Sequence, residues 1–399
     1  MTVHGAWKKA ASGAGLLAAD GSVTASIFAE MSALAMRTGS INLGQGFPDE
    51  DGPAEILEAA RQAISDGINQ YPPGRGSPVL LHAIATHQQR FYGLTSDPDT
   101  EILVTAGATE ALSSTLLALL EPGDEVVTFE PFYDAYGALI TLAGGIHRTV
   151  PLLAPDFLPD LDELSAMVSD RTRIILLNNP HNPTGTVFPR EVLERVVELA
   201  HRHDALIVTD EVYEHLTFGA QHIPVATIAG ARERTITISS AGKTFNTTGW
   251  KIGWLSAPAA IVTAILAVKQ FLTYVNGAPF QPAIAAGLAL PDSYFAGIAA
   301  DLQHKRDVLA AGLTTAGFDV TLPGGSYFIV ADPGPLGYPD GADFCRRLPD
   351  LAGVVAVPIS AFCSPTHGAR YSSLVRFAYC KKVDVLEQAA QQLGALTTR

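Results

Sequence analysis

Cysteine is scarce in this chain of 399 residues: Cys345, Cys363 and Cys380 are the only three. They cannot make a disulfide framework and none has the CxxC spacing of a metal site, so each reads as a packing residue. Long apolar runs are missing as well. The best stretch, residues 260–268, is too short to span a bilayer and reads as part of a buried helix. Cations are outnumbered, with 26 Lys and Arg against 40 Asp and Glu and a net charge of −14. Such a chain repels phosphate backbones and anionic lipid, which argues against nucleic acid or a membrane surface as partner. Lys8 and Lys9 followed by AASGAGLLAA imitate a leader, but the stretch is mostly Ala and Gly and stops at Asp20, so it is not read as a signal peptide. A cytoplasmic location is the resulting expectation. Internal repeats, charge blocks and long Gly/Ser linkers are absent from the sequence.

What is present is apolar: 47% of residues are hydrophobic and 17% charged, which excludes overall disorder. The length suits two or three compact units. The first 25 or so residues read as a loose arm or short helix. From Gly44 onward, short apolar runs alternate with amphipathic patterns. EILVT (101–105), EVVTF (125–129), RIILL (173–177), ALIVT (205–209) and TITIS (235–239) read as strands. TEALSSTLLALL and EVLERVVELAHRH read as helices, the second with Val192, Val196, Val197 and Ala200 on one face. Continuously apolar five-residue strands separated by helices indicate an α/β fold, a mainly parallel sheet sandwiched by helices. After about residue 290 a helix (DLQHKRDVLAAGLTTAG), short strands (SYFIVAD, GVVAVPI, LVRFAY) and a final helix predict a smaller α+β unit built from both chain ends. The expected division is 1–45 for the arm and part of the smaller unit, 46–290 for the large domain, and 291–399 for the rest of the smaller one.

In open α/β sheets, ligands bind beyond the carboxyl ends of the strands, so the residues after each strand are informative. Ala106-Gly107-Ala108-Thr109 opens a helix with small residues, where free N–H groups could receive a phosphate. Glu130-Pro131-Phe132-Tyr133-Asp134-Ala135-Tyr136 offers aromatic plates, and Asn178-Asn179-Pro180-His181-Asn182-Pro183 a proline-fixed turn with Asn182 as an amide donor. Asp210 ends an apolar strand, which is costly unless a cation meets it, and no Lys or Arg is near in sequence; Tyr213 comes three residues later. Lys243 sits on the turn Ser240-Ala241-Gly242-Lys243, where desolvation would lower its pKa towards a nucleophilic amine. Phosphate cradle, aromatic plate, amide, carboxylate with phenol, and amine together fit pyridoxal 5′-phosphate, an electron sink held by a Lys Schiff base with an acid at its ring nitrogen.

NNPHNPTG, TDEVYEHL and SSAGKTFNTTGWKIGW resemble the signature blocks of the class I/II aminotransferases of the type I pyridoxal-phosphate fold, and the similarity runs from about Phe28 to the C-terminus. INLGQGFPD and Lys251 are similar to the kynurenine/glutamine and methionine transaminase branch. Most aspartate-type members carry Arg where Lys251 stands, a departure that keeps a cation but loses the fork. With NQYPPG and PFYDAY added, the likeness narrows to actinobacterial N-succinyldiaminopimelate aminotransferases. The resemblance implies Lys243 as the Schiff-base lysine and proton shuttle, Asp210 at the pyridinium nitrogen, Tyr213 and Asn182 at the ring 3′-oxygen, and Tyr133 stacked on the ring. It implies Ala108, Thr109, Ser240 and Lys251 at the phosphate, joined by Tyr71 from a partner subunit, hence a homodimer with shared sites. Arg376 would clamp the substrate carboxylate, and Gly46, in the GQG turn, would close over the substrate. No metal is implied.

Phe28 and Phe132 suggest an apolar or aromatic substrate, whereas Arg75 could meet a distal carboxylate such as a succinyl group. The implied activity moves an amino group between an L-amino acid, glutamate being the expected partner, and a 2-oxo acid. N-succinyl-LL-2,6-diaminopimelate:2-oxoglutarate transfer stands first, a kynurenine-, methionine- or glutamine-type transaminase or a cysteine-conjugate β-lyase second. A non-catalytic pyridoxal-phosphate-sensing regulator would need a DNA-binding segment, and no helix-turn-helix pattern precedes the core. A dehydrogenase would need GxGxxG between strand and helix, and a serine hydrolase GxSxG; Gly324-Gly325-Ser326 continues as Tyr327-Phe328 and fails. His201 and His203, at a helix end, read as solvated.

Overall fold

The computed structural model describes residues 3–364 and 366–396. A short strand β1 (Ile41–Asn42) precedes the main run of β2 (Ile102–Ala106), β3 (Glu125–Glu130), β4 (Ile146–Leu153), β5 (Leu158–Pro159), β6 (Thr172–Asn178), β7 (Leu206–Asp210), β8 (Thr235–Ser240) and β9 (Ile252–Ser256). These eight form one sheet in the order β2-β9-β8-β7-β6-β3-β4-β5. Every residue of β3 and β8 is buried, as β-branched runs covered on both faces require. Neighbours from β8 through β7, β6 and β3 to β4 pair in parallel. β9 runs antiparallel to both β2 and β8, and β5 antiparallel to β4.

β4 and β9 have no counterpart in the strand pattern read from the sequence. β4 is only partly buried and carries His147, Arg148 and Pro151, so it lacks a continuous apolar run. β9 has Gly253 and Trp254 inside it and comes after the polar Gly249-Trp250-Lys251 segment. Gly253 is there because β9 passes against the turn after β2: a Cβ would lie 2.5 Å from the carbonyl carbon of Gly107.

Beyond the main sheet lie β10 (Asp319–Thr321), β11 (Phe328–Asp332), β12 (Val354–Val355), β13 (Val357–Pro358) and β14 (Val375–Ala378). β10-β11-β14-β13 make an antiparallel sheet, while β12 pairs in parallel with β1. The run GVVAVPI is therefore divided between two sheets. A single apolar core gathers Leu43, Val354, Val355, Tyr327, Phe328 and Phe377, tying the segment after the arm to the C-terminal strands. The helix expected at 301–317 starts earlier, at Asp292, and ends at Ala316, where Gly317 takes the left-handed conformation. It packs on the last helix, Val383–Leu393, so closely that a Cβ on Gly312 would lie 2.3 Å from the Ala390 Cβ.

The helix Arg190–Arg202 buries Val192, Val196, Val197 and Ala200 on the face read from the sequence. The helix Ile27–Thr38 is capped by Ser26, whose hydroxyl accepts from the Ala29 N–H, and it presents Phe28 to the main crevice. All three cysteines are free, Cys345 and Cys380 buried. No single helix among the described residues is long and apolar enough to cross a membrane.

Candidate active site

The carboxyl ends of β2, β3, β6, β7 and β8 open onto one pocket of about 370 Å³, within the size range of small-molecule sites. Phe28, Gly46, Ala108, Thr109, Tyr133, Asn182, Asp210, Tyr213, Ser240, Lys243, Lys251 and Arg376 all line it. Residues scattered from Phe28 to Arg376 in the sequence thus meet in one place.

Asp210 is the last residue of β7 and is buried. Its Oδ2 accepts from the Tyr136 hydroxyl at 2.8 Å, while Oδ1 has no hydrogen-bond partner. Burial pushes its pKa up to about 6, partly offset by the Tyr136 hydrogen bond, the Val212 main-chain N–H and the Lys243 cation. A buried, orphaned carboxylate oxygen on a residue that lines a pocket calls for a cationic N–H from a ligand.

Lys243 lies in the single turn Ala241–Thr244 that comes after β8. Its Nζ donates to the Tyr327 hydroxyl at 2.8 Å, and burial holds its pKa below the usual lysine value. Tyr213 packs edge-on against Tyr327, and burial with Asp210 nearby raises its phenol well above the usual range.

The phosphate-sized end is the start of the helix Gly107–Leu119, whose first N–H groups have no partner within the helix. Gly107 has φ +73°, and a Cβ on it would meet the Lys251 Nζ at 3.1 Å, so the lysine head lies directly over this turn. Lys251 itself is left-handed, with φ +54°. The Tyr133 hydroxyl is within hydrogen-bond reach of Thr109, and burial pushes its phenol up to about 12.

At the opposite end, Arg376 on β14 is buried, and its guanidinium lies 3.9 Å from the Phe328 ring centroid and 4.6 Å from that of Phe362. One NH2 group donates to the Asn182 Oδ1 and the other to the Gly44 carbonyl, both at 2.9 Å. Nε has no partner, and among the described residues no carboxylate pairs with this cation. Burial lowers its pKa to about 10. Asp134 lines the same pocket but makes no ion pair with Arg376, and a buried guanidinium with no paired carboxylate is a receptor for one.

Tyr71, expected at a partner subunit's phosphate, is 81% exposed and packs edge-on against Tyr274, outside its own chain's pocket. Two residues expected near the site lie elsewhere. Arg75 does not reach the pocket. Its Nη1 donates to the Thr100 and Ile102 carbonyls, because β2 is an edge strand whose carbonyls need donors. Phe132 is core, packed at 4.7 Å against His147. Conversely, Tyr136, Tyr327, Phe328 and Phe362 shape the site without having been read from the sequence as site residues. Tyr136 stands in the PFYDAY block, within the aromatic segment that comes after β3, so its place at a strand end was an available signal; the other three come from distant segments with no local mark.

Histidine clusters elsewhere. The ligand atoms of His87, Glu214 and His215 lie within 4.8 Å of one another, but the two imidazoles hydrogen-bond each other at 2.8 Å and Glu214 accepts from Ser239. His201 contacts the Gly230 carbonyl and His203 contacts Asp170.

The chain is similar to known proteins over most of its length. Residues 38–393 match the model of the family described as aminotransferase class I and II. The chain is 51% identical over 383 residues to a probable N-succinyldiaminopimelate aminotransferase of Mycobacterium tuberculosis, covering 94% of this chain and 96% of that one. It is 39% identical over 371 residues to the methionine aminotransferase of Escherichia coli, covering 93% and 95%. A solved N-succinyldiaminopimelate aminotransferase structure from Mycobacterium tuberculosis superposes with a TM-score of 0.91 at 51% identity, covering 94% of this chain and 98% of that one.

Proposed function

The chain belongs to the class I and II aminotransferases and is a transaminase, and we propose that it works with pyridoxal 5′-phosphate held at the pocket floor. The observation that carries this is the orphaned Oδ1 of Asp210, a buried carboxylate oxygen without a hydrogen-bond partner on a residue that lines the pocket together with Lys243. The residues present fit the group. Asp210 would pair with its ring nitrogen, Tyr213 and Asn182 would bond the ring oxygen, and Tyr133 would stack on the ring. Ala108, Thr109, Ser240 and Lys251 would hold the phosphate on the helix N-terminus. Bound there, the group supplies an electron sink for the carbanion formed at the donor Cα. Lys243 would hold it covalently and, once displaced, take the proton from the donor Cα. The depressed pKa of Lys243 favours that base role at neutral pH. Arg376 would receive the α-carboxylate common to all donors, and Gly46 would lie over the bound substrate.

We propose N-succinyl-LL-2,6-diaminopimelate with glutamate/2-oxoglutarate as the substrate pair, supported by the 51% identity to the mycobacterial relative. A second reading, a methionine- or kynurenine-type transaminase, is favoured by the pocket wall, where Phe28, Phe328 and Phe362 surround Arg376 and Arg75 is absent. We further propose a cytoplasmic homodimer, in which Tyr71 serves the other copy's phosphate, with segments 1–45 and 291–399 forming a smaller unit against 46–290. Three free cysteines suit a reducing compartment, and exposed Tyr71, Phe271 and Tyr274 suit a subunit contact.

The test is direct. Purified protein incubated with the cofactor should turn yellow, and borohydride should fix it to Lys243. A panel of amino donors and 2-oxo acids then ranks the substrates, with pyruvate release from a cysteine conjugate reporting β-lyase activity. A protein that stays colourless and inactive with added cofactor overturns the reading.

A further inference from the structure

The hydrogen bond that Lys243 makes with Tyr327 determines how its amine is presented. Nζ donates to the Tyr327 hydroxyl at 2.8 Å, and that hydroxyl donates in turn to the Gly46 carbonyl at 2.6 Å. Tyr327 is 1% exposed and fixed on both sides, by edge-on packing with Tyr213 at 5.2 Å and Phe328 at 4.8 Å. Its own carbonyl accepts from the Tyr379 N–H. The turn at Gly46 rests on these rings: a Cβ there would lie 2.5 Å from the Phe328 Cζ and 3.1 Å from the Tyr327 Cε2.

We propose that Tyr327 is a positioning residue that couples the Gly46 turn to Lys243, keeping the amine's lone pair unoccupied while the turn lies over the pocket. The inference rests on Lys243 being the reacting amine. Its physical basis is that a phenol has one O–H and two acceptor lone pairs. With the O–H committed to the Gly46 carbonyl, the oxygen can meet Lys243 only as an acceptor. The amine therefore spends an N–H on Tyr327, and its lone pair is left for the pocket. If the turn lifts, the O–H is released and can donate to that lone pair, occupying the base. Closure of the turn over a bound donor and availability of the base are then one event.

The groups facing Lys243 set the sign of the test. They are Asp210 on β7, Tyr213 after it, Lys251 before β9, Tyr327 beside β11, and Arg376 and Cys380 on and after β14. Among them the Tyr327 oxygen is an acceptor that favours the ammonium over the amine. Tyr327→Phe, which removes one atom and keeps the ring, should lower the titration midpoint of Lys243 by about half to one pH unit. The midpoint is read on the full-length cofactor-free protein by competitive acetylation with trace acetic anhydride across pH, followed by mass spectrometry at Lys243. In the cofactor-loaded enzyme, kcat should fall about tenfold while KM for the donor stays within about twofold. Gly46→Ala pushes the turn off the rings with Tyr327 intact. It should also lower the midpoint, and the double variant should move no further than Tyr327→Phe alone.

A midpoint unmoved in Tyr327→Phe overturns the proposal, as does a rise in KM at unchanged kcat. A midpoint unmoved in Gly46→Ala overturns the coupling to the turn. Either result leaves the transaminase site standing, whereas full turnover in Lys243→Ala removes the reading beneath it.

Discussion

Asp210 shows how much one buried carboxylate can control. Burial raises its pKa from 3.8 to about 6, so in the cofactor-free chain its contribution to stability is whole below about pH 4 and lost as pH rises through 6. A rise of that size corresponds to on the order of 3 kcal/mol. Asp210→Asn should therefore gain stability relative to the parent as pH rises from about 4 to about 7, measured as the difference in urea-unfolding free energy. Added pyridoxal phosphate should erase most of that difference in the parent if, as proposed, its ring cation pairs with Asp210; a difference that is flat with pH would refute the assignment. The same variant should bind the cofactor more weakly and turn over far more slowly. Arg376 is the second residue of this kind. Arg376→Lys keeps the charge but forfeits the fork and the stacking on Phe328 and Phe362. Its kcat/KM should drop about tenfold to a hundredfold for every amino-acid donor alike, and a loss confined to one donor would argue against an α-carboxylate role.

Among the elements, the cradle at the start of the helix Gly107–Leu119 is made by two backbones in contact. Gly253 on β9 touches Gly107, and Gly107 lies under the Lys251 head. Gly253→Ala places a Cβ 2.5 Å from main-chain carbon that cannot move aside cheaply, and overpacking of this kind costs about 1–3 kcal/mol. We expect a lower urea midpoint and weaker cofactor binding in equilibrium dialysis. Gly249→Ala, with nothing within 4 Å of its Cβ, is the control and should leave both unchanged. Equal behaviour of the two variants would show that the close approach is not what shapes the cradle. The strands leading into the site could be read in advance because burial on both faces demands continuous apolar runs. β9 could not, since glycine and charge dominate where it meets the helix.

For the molecule as a unit, the position of Tyr71 matters most. It lies outside its own chain's pocket, exposed beside Tyr274, with Phe271 83% and Leu272 45% exposed nearby in sequence. A homodimer burying this patch would explain the exposure. Sedimentation should give a dimer, and Phe271→Asp should weaken it, with activity falling as the protein is diluted. A fully active monomer would refute shared sites.

Most of the strand-and-helix order of the main sheet, and the polar residue at the end of each inner strand, are legible in the amino-acid order. Both rest on short-range rules: two-sided burial sets the apolar runs, and ligands gather at the carboxyl ends. Lys243, Asp210, Asn182 and the Ala108–Thr109 turn could be picked out for that reason. Folding in three dimensions was needed to settle where Arg75 spends its guanidinium, that Tyr327 stands between Lys243 and Gly46, and that Phe328 and Phe362 enclose Arg376. Those contacts join segments more than 80 residues apart in the case of Lys243 and Tyr327, and hundreds apart for Tyr327 and Gly46. No local pattern encodes such meetings, because they are set by how β11 and β14 pack against the carboxyl edge of the large sheet.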